Sequence, residues 1–182
     1  MLFRSLVGLT GFAQAGKDTF ANFLGYRRLA FADKLKELAL ACNPRFEDRD
    51  GDGYRLRTWV ADDGWEYAKS SVSGVREFLQ DLGIGVREIL GQDTWVEAVF
   101  AQYDPSVATV ITDVRFPNEI AAIKERGGKI IQIVRPGVRA PNNHVSEFAW
   151  QDERPWCRIS NDQDLSWLGL MARSVDYELR RK

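Results

Sequence analysis

Gly11-Phe12-Ala13-Gln14-Ala15-Gly16-Lys17-Asp18-Thr19 is the stretch on which the fold turns. It follows the apolar run Leu6-Val7-Gly8-Leu9, which reads as a buried strand. It precedes Phe20, Phe23 and Leu24, which recur at helical spacing. Strand, glycine-bounded loop and helix form the setting in which G-x-x-x-x-G-K has a physical meaning. Gly11 and Gly16 admit backbone angles closed to other residues, so the N–H groups between them can turn inward as an anion nest. The helix adds its positive pole at the same place, and Lys17 adds a compact charge that reaches terminal phosphates. The stretch predicts a phosphate-binding loop. In this motif a Ser or Thr hydroxyl follows the lysine and meets Mg²⁺. Here Asp18 follows, then Thr19, and two readings stand. Asp18 holds Mg²⁺ directly or through water, or Asp18 supports the helix N-terminus and Thr19 takes the metal.

The totals bound the rest. A chain of 182 residues predicts one domain with a sizeable core. A net charge of -1 gives no reason to expect nucleic-acid or membrane binding, although the 25 Lys and Arg leave room for a local basic pocket. Cys42 and Cys157 lack C-x-x-C spacing and read as reduced core thiols. No apolar run suits a signal peptide or a membrane span, so a cytoplasmic protein is expected.

Outward from the loop, residues 2 to 9 read as the first strand, and a helix ends near Gly25. Arg27 to Phe31 reads as a second strand. Asp33 then caps a helix that faces inward through Leu35, Leu38, Ala39 and Cys42 and stops before Pro44. Residues 43 to 74 show no clean period and read as a surface insertion. Within it, Asp48 to Gly53 resembles the start of a calcium loop, but the twelfth position falls on Trp59 where a Glu is needed, so an acidic turn is expected. Val75 to Tyr103 has helical spacing through Val75, Phe78, Leu79, Leu82, Val86, Ile89 and Leu90, with breaks expected at Gly83, Gly85 and Gly91. Asp93 or Thr94 then caps a helix carrying Trp95, Val96, Val99 and Phe100, and Thr94 and Glu97 have capping-box spacing. Arg76, Gln80 and Arg87 punctuate this unit. The arginines read either as solvated helix charges or as a clamp on a second anionic group.

Val107 to Asp113 is the second strong strand. An apolar run ending in Asp, behind a phosphate loop, is where a metal-binding carboxylate is expected; the alternative is that Asp113 caps the next turn. Arg115 would sit over the same sheet edge. A helix from Asn118 to Glu125 and a strand from Lys129 to Val134 follow. The Pro- and Gly-bearing loop from Arg135 to Glu147 suggests a lid whose Arg135 and Arg139 close on phosphates. His144 within it reads as structural. Trp156 to Ser160 is a short last strand, Asn161 to Asp164 a polar turn, and Leu165, Leu168, Met171, Val175 and Leu179 stripe a final helix. The order predicts an α/β three-layer fold with a parallel sheet of about five strands and helices on both faces. It is read as a single domain over 1–182, with a helical part over about 33–104 and a lid-like loop over about 135–147.

With those residues in hand, the chain resembles the phage-type deoxynucleoside monophosphate kinases of the wider P-loop nucleoside monophosphate kinase group. The likeness rests on Gly11–Thr19, on Phe31-Ala32-Asp33-Lys34-Leu35-Lys36, and on Arg76-Glu77-Phe78-Leu79-Gln80-Asp81-Leu82-Gly83 with Arg87. It continues through Gly91-Gln92-Asp93-Thr94-Trp95-Val96, Thr112-Asp113-Val114-Arg115-Phe116-Pro117-Asn118-Glu119, His144-Val145-Ser146-Glu147 and Ile159-Ser160-Asn161-Asp162. The resemblance implies transfer of the ATP γ-phosphoryl group to a dNMP with Mg²⁺. It implies acceptor contacts by Lys34, Arg76, Gln80 and Arg87, a place for Arg115 near the transferring phosphate, and lid charges at Arg135 and Arg139. It also places Asn161 and Asp162 by the ATP base and leaves Asp18, Thr19 and Asp113 as metal candidates. Lys17, Asp113 and Arg115 are then the expected catalytic set. ATP and a dNMP are the expected partners, a homodimer is left open, and a phage-encoded chain would work in host cytoplasm. Two other classes stay in view: a P-loop kinase for another small molecule such as a coenzyme precursor, and an ATP-binding regulatory module without transfer.

Overall fold

The computed structural model describes residues 5–47, 51, 53–140 and 144–181. In chain order the elements are β1 (Leu6–Thr10), α1 (Lys17–Leu24), β2 (Arg27–Leu29), α2 (Phe31–Cys42), β3 (Arg45–Glu47), β4 (Gly53–Arg55) and α3 (Leu56–Ser71). Then come α4 (Val75–Leu90), α5 (Thr94–Phe100), β5 (Thr109–Ile111), α6 (Pro117–Glu125), β6 (Lys129–Val134), a 3-10 turn (Val145–Glu147), β7 (Cys157–Ser160) and α7 (Leu165–Arg180). The chain divides into two compact units, one of Met1–Phe31 with Val96–Lys182, the other of Ala32–Trp95. No helix among the described residues is long and apolar enough to cross a membrane.

The first unit is built on a five-stranded parallel sheet in the order β2-β5-β1-β6-β7. Its central strands β1 and β5 are short and wholly buried, as parallel strands covered on both faces are, while the edge strands β2 and β7 carry exposed arginines. Alternation along β1 assigns the faces. Val7 and Leu9 join Phe20, Leu24, Ile131, Ile133, Leu168, Ala172 and Val175 in a core with α1 and α7. Gly8 points the other way, where a Cβ would meet Ile123 at 2.7 Å and Ile130 at 2.9 Å, so its lack of a side chain lets α6 sit close. Helix, sheet and helix make the expected three layers. The connection from β1 runs to β2 at one edge of the sheet, whereas those from β5 and β6 run toward the other edge. The carboxyl end of β1 is therefore the switch point at which open α/β sheets bind ligands.

The second unit holds α3 and α4 with the β3–β4 hairpin. Its core is Ala39, Leu56, Trp59, Ala68, Val72, Val75 and Leu79, with Leu35, Phe46, Phe78 and Leu82 partly buried against it.

Several expectations need correction. The described residues between 43 and 74 include two paired strands and a helix that breaks at Gly64, whose φ of 81° is non-helical. The break resets the helical phase, so Leu56 and Trp59 on one side and Ala68 on the other fit no single period. Asp48, Arg49, Asp50 and Asp52 of the calcium-like run lie outside the described residues, as do residues 2–4 of the first strand. α4 runs unbroken through Gly83 and Gly85, because the helix keeps its hydrogen bonds and Gly83 takes Leu35 against it. Ile89 and Leu90 at its end are exposed. α2 begins on Phe31, so Asp33 lies in its first turn and not at its N-cap position, and Leu38 and Cys42 face outward. α5 begins on Thr94, which leaves Asp93 rather than Thr94 at the position before its first residue; the Thr94 hydroxyl donates to the Gly91 carbonyl at 2.8 Å. β5 is shorter than 107–113, and Asp113 stands two residues beyond it. On α7, Leu165 is exposed and Ala172 takes its place in the core.

Candidate active site

The phosphate loop joins β1 to α1. Gly11 has φ +132° and Gly16 φ +102°, both in the left-handed region, and Gln14 has φ 64°. A Cβ on Gly11 would stand 2.2 Å from the Ile133 carbonyl oxygen, and one on Gly16 would stand 2.4 Å from Asn161 Nδ2. Both glycines are thus fixed twice, by angle and by space. Lys17 opens α1, and its ammonium donates to the carbonyl oxygens of Gly11 and Phe12, each at 2.8 Å. Burial pushes its pKa from 10.5 down to about 8. The Arg115 guanidinium pushes the same way, while Asp18, Asp113 and Glu147 oppose the shift. Those named charges map the electrostatic neighbourhood of the loop.

Asp113 and Arg115 come from the chain just past β5. Backbone pairing continues there, Thr112 N–H donating to Leu29 and Val114 N–H to Leu9, which holds the two side chains at the carboxyl edge of the sheet. Asp113 Oδ1 accepts from the Phe31 N–H at 2.8 Å, which ties the end of the strand region to the residue that opens α2. Arg115 is held at two points. Its backbone N–H donates to Glu119 Oε2 at 2.6 Å, and Glu119 also takes the Phe116 N–H at 2.9 Å, anchoring the first turn of α6. Its guanidinium donates to Glu147 Oε1 at 2.5 Å. Glu119 and Glu147 are both buried. Neither was singled out from sequence, although Glu147 closes the tetrad His144–Glu147.

Asn161, at the end of β7, donates from Nδ2 to the Ala15 carbonyl at 2.8 Å, so its amide braces the phosphate loop. Asp162 follows it in the turn before Asp164, which caps α7 by accepting the Trp167 N–H. Asp18 is exposed on the first turn of α1, 3.9 Å from Arg28, and Thr19 is half-buried beside it. Arg135 and Arg139 are exposed, residues 141–143 of the predicted lid lie outside the described residues, and the end of that loop is a turn capped by His144 with Ser146 and Glu147 buried and Val145 exposed. A cavity of about 100 Å³ lies behind the loop, lined by Phe12, Ala15, Ile133, Val134, Arg135 and Trp150 among others. No cluster of three or more His, Cys, Asp or Glu among the described residues could cage a metal.

In the second unit, Arg76, Gln80 and Arg87 fall at i, i+4 and i+11 on α4, one stripe of the helix. Arg76 and Gln80 are half-buried. Arg87 is buried, and its Nη2 donates to Gln92 Oε1 at 2.9 Å. Lys34 on α2 pairs with Glu37 at 2.7 Å.

The site therefore combines an anion nest, a half-buried lysine, and an arginine and an aspartate at the switch point of a parallel sheet, a set suited to binding and stabilising phosphate charge. Comparison with known proteins names the relatives. The sequence model of a family described as deoxynucleotide monophosphate kinase matches residues 66–170. This chain belongs to that family. The matched stretch excludes the phosphate loop, so the loop and the match are separate observations. A protein of Acanthamoeba polyphaga mimivirus, named "Putative deoxynucleotide monophosphate kinase", is 31% identical over 160 residues, covering 78% of this chain and 80% of that one. Among solved structures, shikimate kinase from Aquifex aeolicus vf5 matches with a TM-score of 0.44 at 11% identity, over 95% of this chain and 97% of that one. The Mycobacterium tuberculosis APS kinase CysC, in complex with AMPPNP and APS, matches with a TM-score of 0.41 at 12% identity over the whole of both chains. The family makes this chain a nucleotide kinase.

Proposed function

We propose that the chain transfers the γ-phosphoryl group of ATP to the phosphate of a deoxynucleoside monophosphate, giving the diphosphate and ADP. The observation that carries this reading is the placement of Arg115 within electrostatic reach of Lys17 beside the phosphate loop, in a chain of this family. The loop from Gly11 to Gly16 receives the ATP phosphates on its N–H groups. Lys17 leaves its two carbonyl partners to meet the terminal phosphates. Arg115 stabilises the charge that spreads over the equatorial oxygens during transfer. The acceptor phosphate is already anionic near neutral pH, so no strong general base is required, in keeping with His144 serving its own turn.

Mg²⁺ fits the donors present. It takes one or two carboxylates with substrate phosphates rather than an all-protein cage, and Asp18, Thr19 and Asp113 offer hard oxygens around Lys17. When bound it supplies charge neutralisation across the β- and γ-phosphates. Asn161 and Asp162 lie by the ATP base in this reading, and Arg135 and Arg139 close over the phosphates and exclude water. Arg76, Gln80 and Arg87 on the polar stripe of α4, with Lys34, receive the monophosphate.

ADP release measured over a panel of dNMPs tests the reading. Turnover of at least one dNMP, dependent on ATP and Mg²⁺, is expected. Silence on every dNMP with turnover of a non-nucleotide acceptor would replace it with a kinase for another small molecule. ATP binding without transfer to any acceptor would replace it with a regulatory module.

A further inference from the structure

The segment from His144 to Trp150 has no part in the reading above, yet it touches the phosphate site on two sides. Glu147 is 4% exposed in its side chain, and its carboxylate takes the Arg115 guanidinium, which is 35% exposed. The same guanidinium nitrogen lies 3.4 Å from Ser146 Oγ and 3.5 Å from the Ser146 carbonyl oxygen. The turn that carries these groups is fixed on its own account. His144 Nδ1 stands 2.8 Å from Ser146 Oγ and accepts the Ser146 N–H at 3.3 Å. Just beyond it, Phe148 and Trp150 set their rings edge-on to Phe12 of the phosphate loop, with centroids 6.3 and 5.4 Å apart. One short segment therefore grips the loop by Phe12 and the arginine by its charge.

Burying a carboxylate is costly, and an ion pair at such a site seldom adds net stability over apolar packing. What it does supply is fixed geometry. A long arginine side chain loses rotamer freedom when it meets a substrate. Held in advance by Glu147, with part of the guanidinium still exposed, it has paid that loss before substrate arrives. We propose that Glu147 is a positioning residue for phosphoryl transfer: its buried carboxylate holds Arg115 against the phosphate site so that the exposed part of the guanidinium meets the transferring group. This inference rests on the assignment of Arg115 to the transfer step.

Kinetics of Glu147→Gln in two backgrounds test it. The variant keeps the shape and an acceptor oxygen and removes the charge. In the otherwise native chain, kcat falls about 10- to 100-fold while both KM values stay within about threefold. In an Arg115→Ala chain the same change alters kcat less than about twofold, because nothing remains to be positioned. Equal losses in both backgrounds mark a merely structural role and overturn the proposal. Guanidinium ion restores part of the turnover of Arg115→Ala and none of it in the double variant; equal rescue in both also overturns it. Should Glu147→Gln not fold, Glu147→Asp keeps the charge with a shorter reach, and unchanged kcat there is the overturning result. Native turnover by Arg115→Ala removes both the role of Arg115 and this inference. Slow Arg115→Ala beside fast Glu147→Gln removes the positioning role alone.

Discussion

The amide of Asn161 donates to the carbonyl oxygen of Ala15 at 2.8 Å, tying the turn after the last strand to the middle of the phosphate loop. The two residues are distant in sequence and belong to opposite ends of the first unit. Each constrains the other, since the space beside Gly16 is already taken by the Asn161 amide.

Asn161→Ala should therefore leave a shielded carbonyl without its donor, at a cost of about 1–3 kcal/mol, and should weaken binding of a non-hydrolysable ATP analogue. Asn161→Asp should do worse, because it sets a carboxylate against that carbonyl. Gly11→Ala should do more damage than either, since its Cβ would meet backbone at 2.2 Å, which cannot swing aside as a side chain can. Urea midpoints and nucleotide titration check the order. Equal stability of Asn161→Asp and the native chain would remove the brace.

Lys17→Met should lower turnover at least about a hundredfold with the fold kept, as the loss of a charge aimed at the developing phosphate charge would. Its stability should also depart from that of the native chain with pH. The pKa of Lys17 falls from 10.5 to about 8 in the fold. Between those values the unfolded chain holds a proton that the folded chain has lost, so native stability rises with pH there. The full cost of the partly desolvated ammonium is present below pH 8 and is relieved on the way to 10.5. Unfolding midpoints at pH 7.5 and 9.5 should show the native chain gaining on Lys17→Met; a constant gap would contradict the depressed pKa.

Arg76→Ala should raise the KM for the dNMP about ten- to a hundredfold, the equivalent of about 1.5–3 kcal/mol for a hydrogen bond to a charged group. The KM for ATP should change little. A change confined to ATP would put Arg76 on the wrong substrate.

The two thiols should part company. Cys42 is exposed, whereas burial pushes the Cys157 pKa up to about 11. A thiol reagent at pH 8 should modify Cys42 at least about ten times faster than Cys157, because the thiolate is the reacting form. Mass spectrometry of peptides along the time course reads the two rates, and equal rates would refute the raised pKa of the half-buried Cys157.

What the sequence reveals here is what lies close along the chain. β1, the loop and α1 are one continuous pattern, and a Gly-x₄-Gly-Lys spacing has few other uses. β6, α6 and most of α7 likewise carry their period in adjacent residues. The hairpin and α3 do not, because Gly64 divides the apolar positions into two phases and the hairpin strands are three residues each. Cys42 was misread as core because helical spacing says which residues share a face, but not that the whole face is covered. Glu147 was missed for a different reason. Its partner Arg115 is brought to it by the fold, and a single glutamate in a polar loop has no local signature that separates a buried ion pair from a solvated charge.

The first unit is discontinuous, and this has a consequence for how the protein is made. Leu6 finds its neighbours at Thr109 and, one residue on, Val7 finds another at Lys129, so the central strand leaves the ribosome with neither partner yet synthesised. The whole Ala32–Trp95 stretch emerges while that strand waits. Contacts so separated in sequence are slow to form, and an unpaired apolar strand invites association with other chains. The phosphate loop, early in the sequence, gains its Asn161 brace only once the end of β7 has been made.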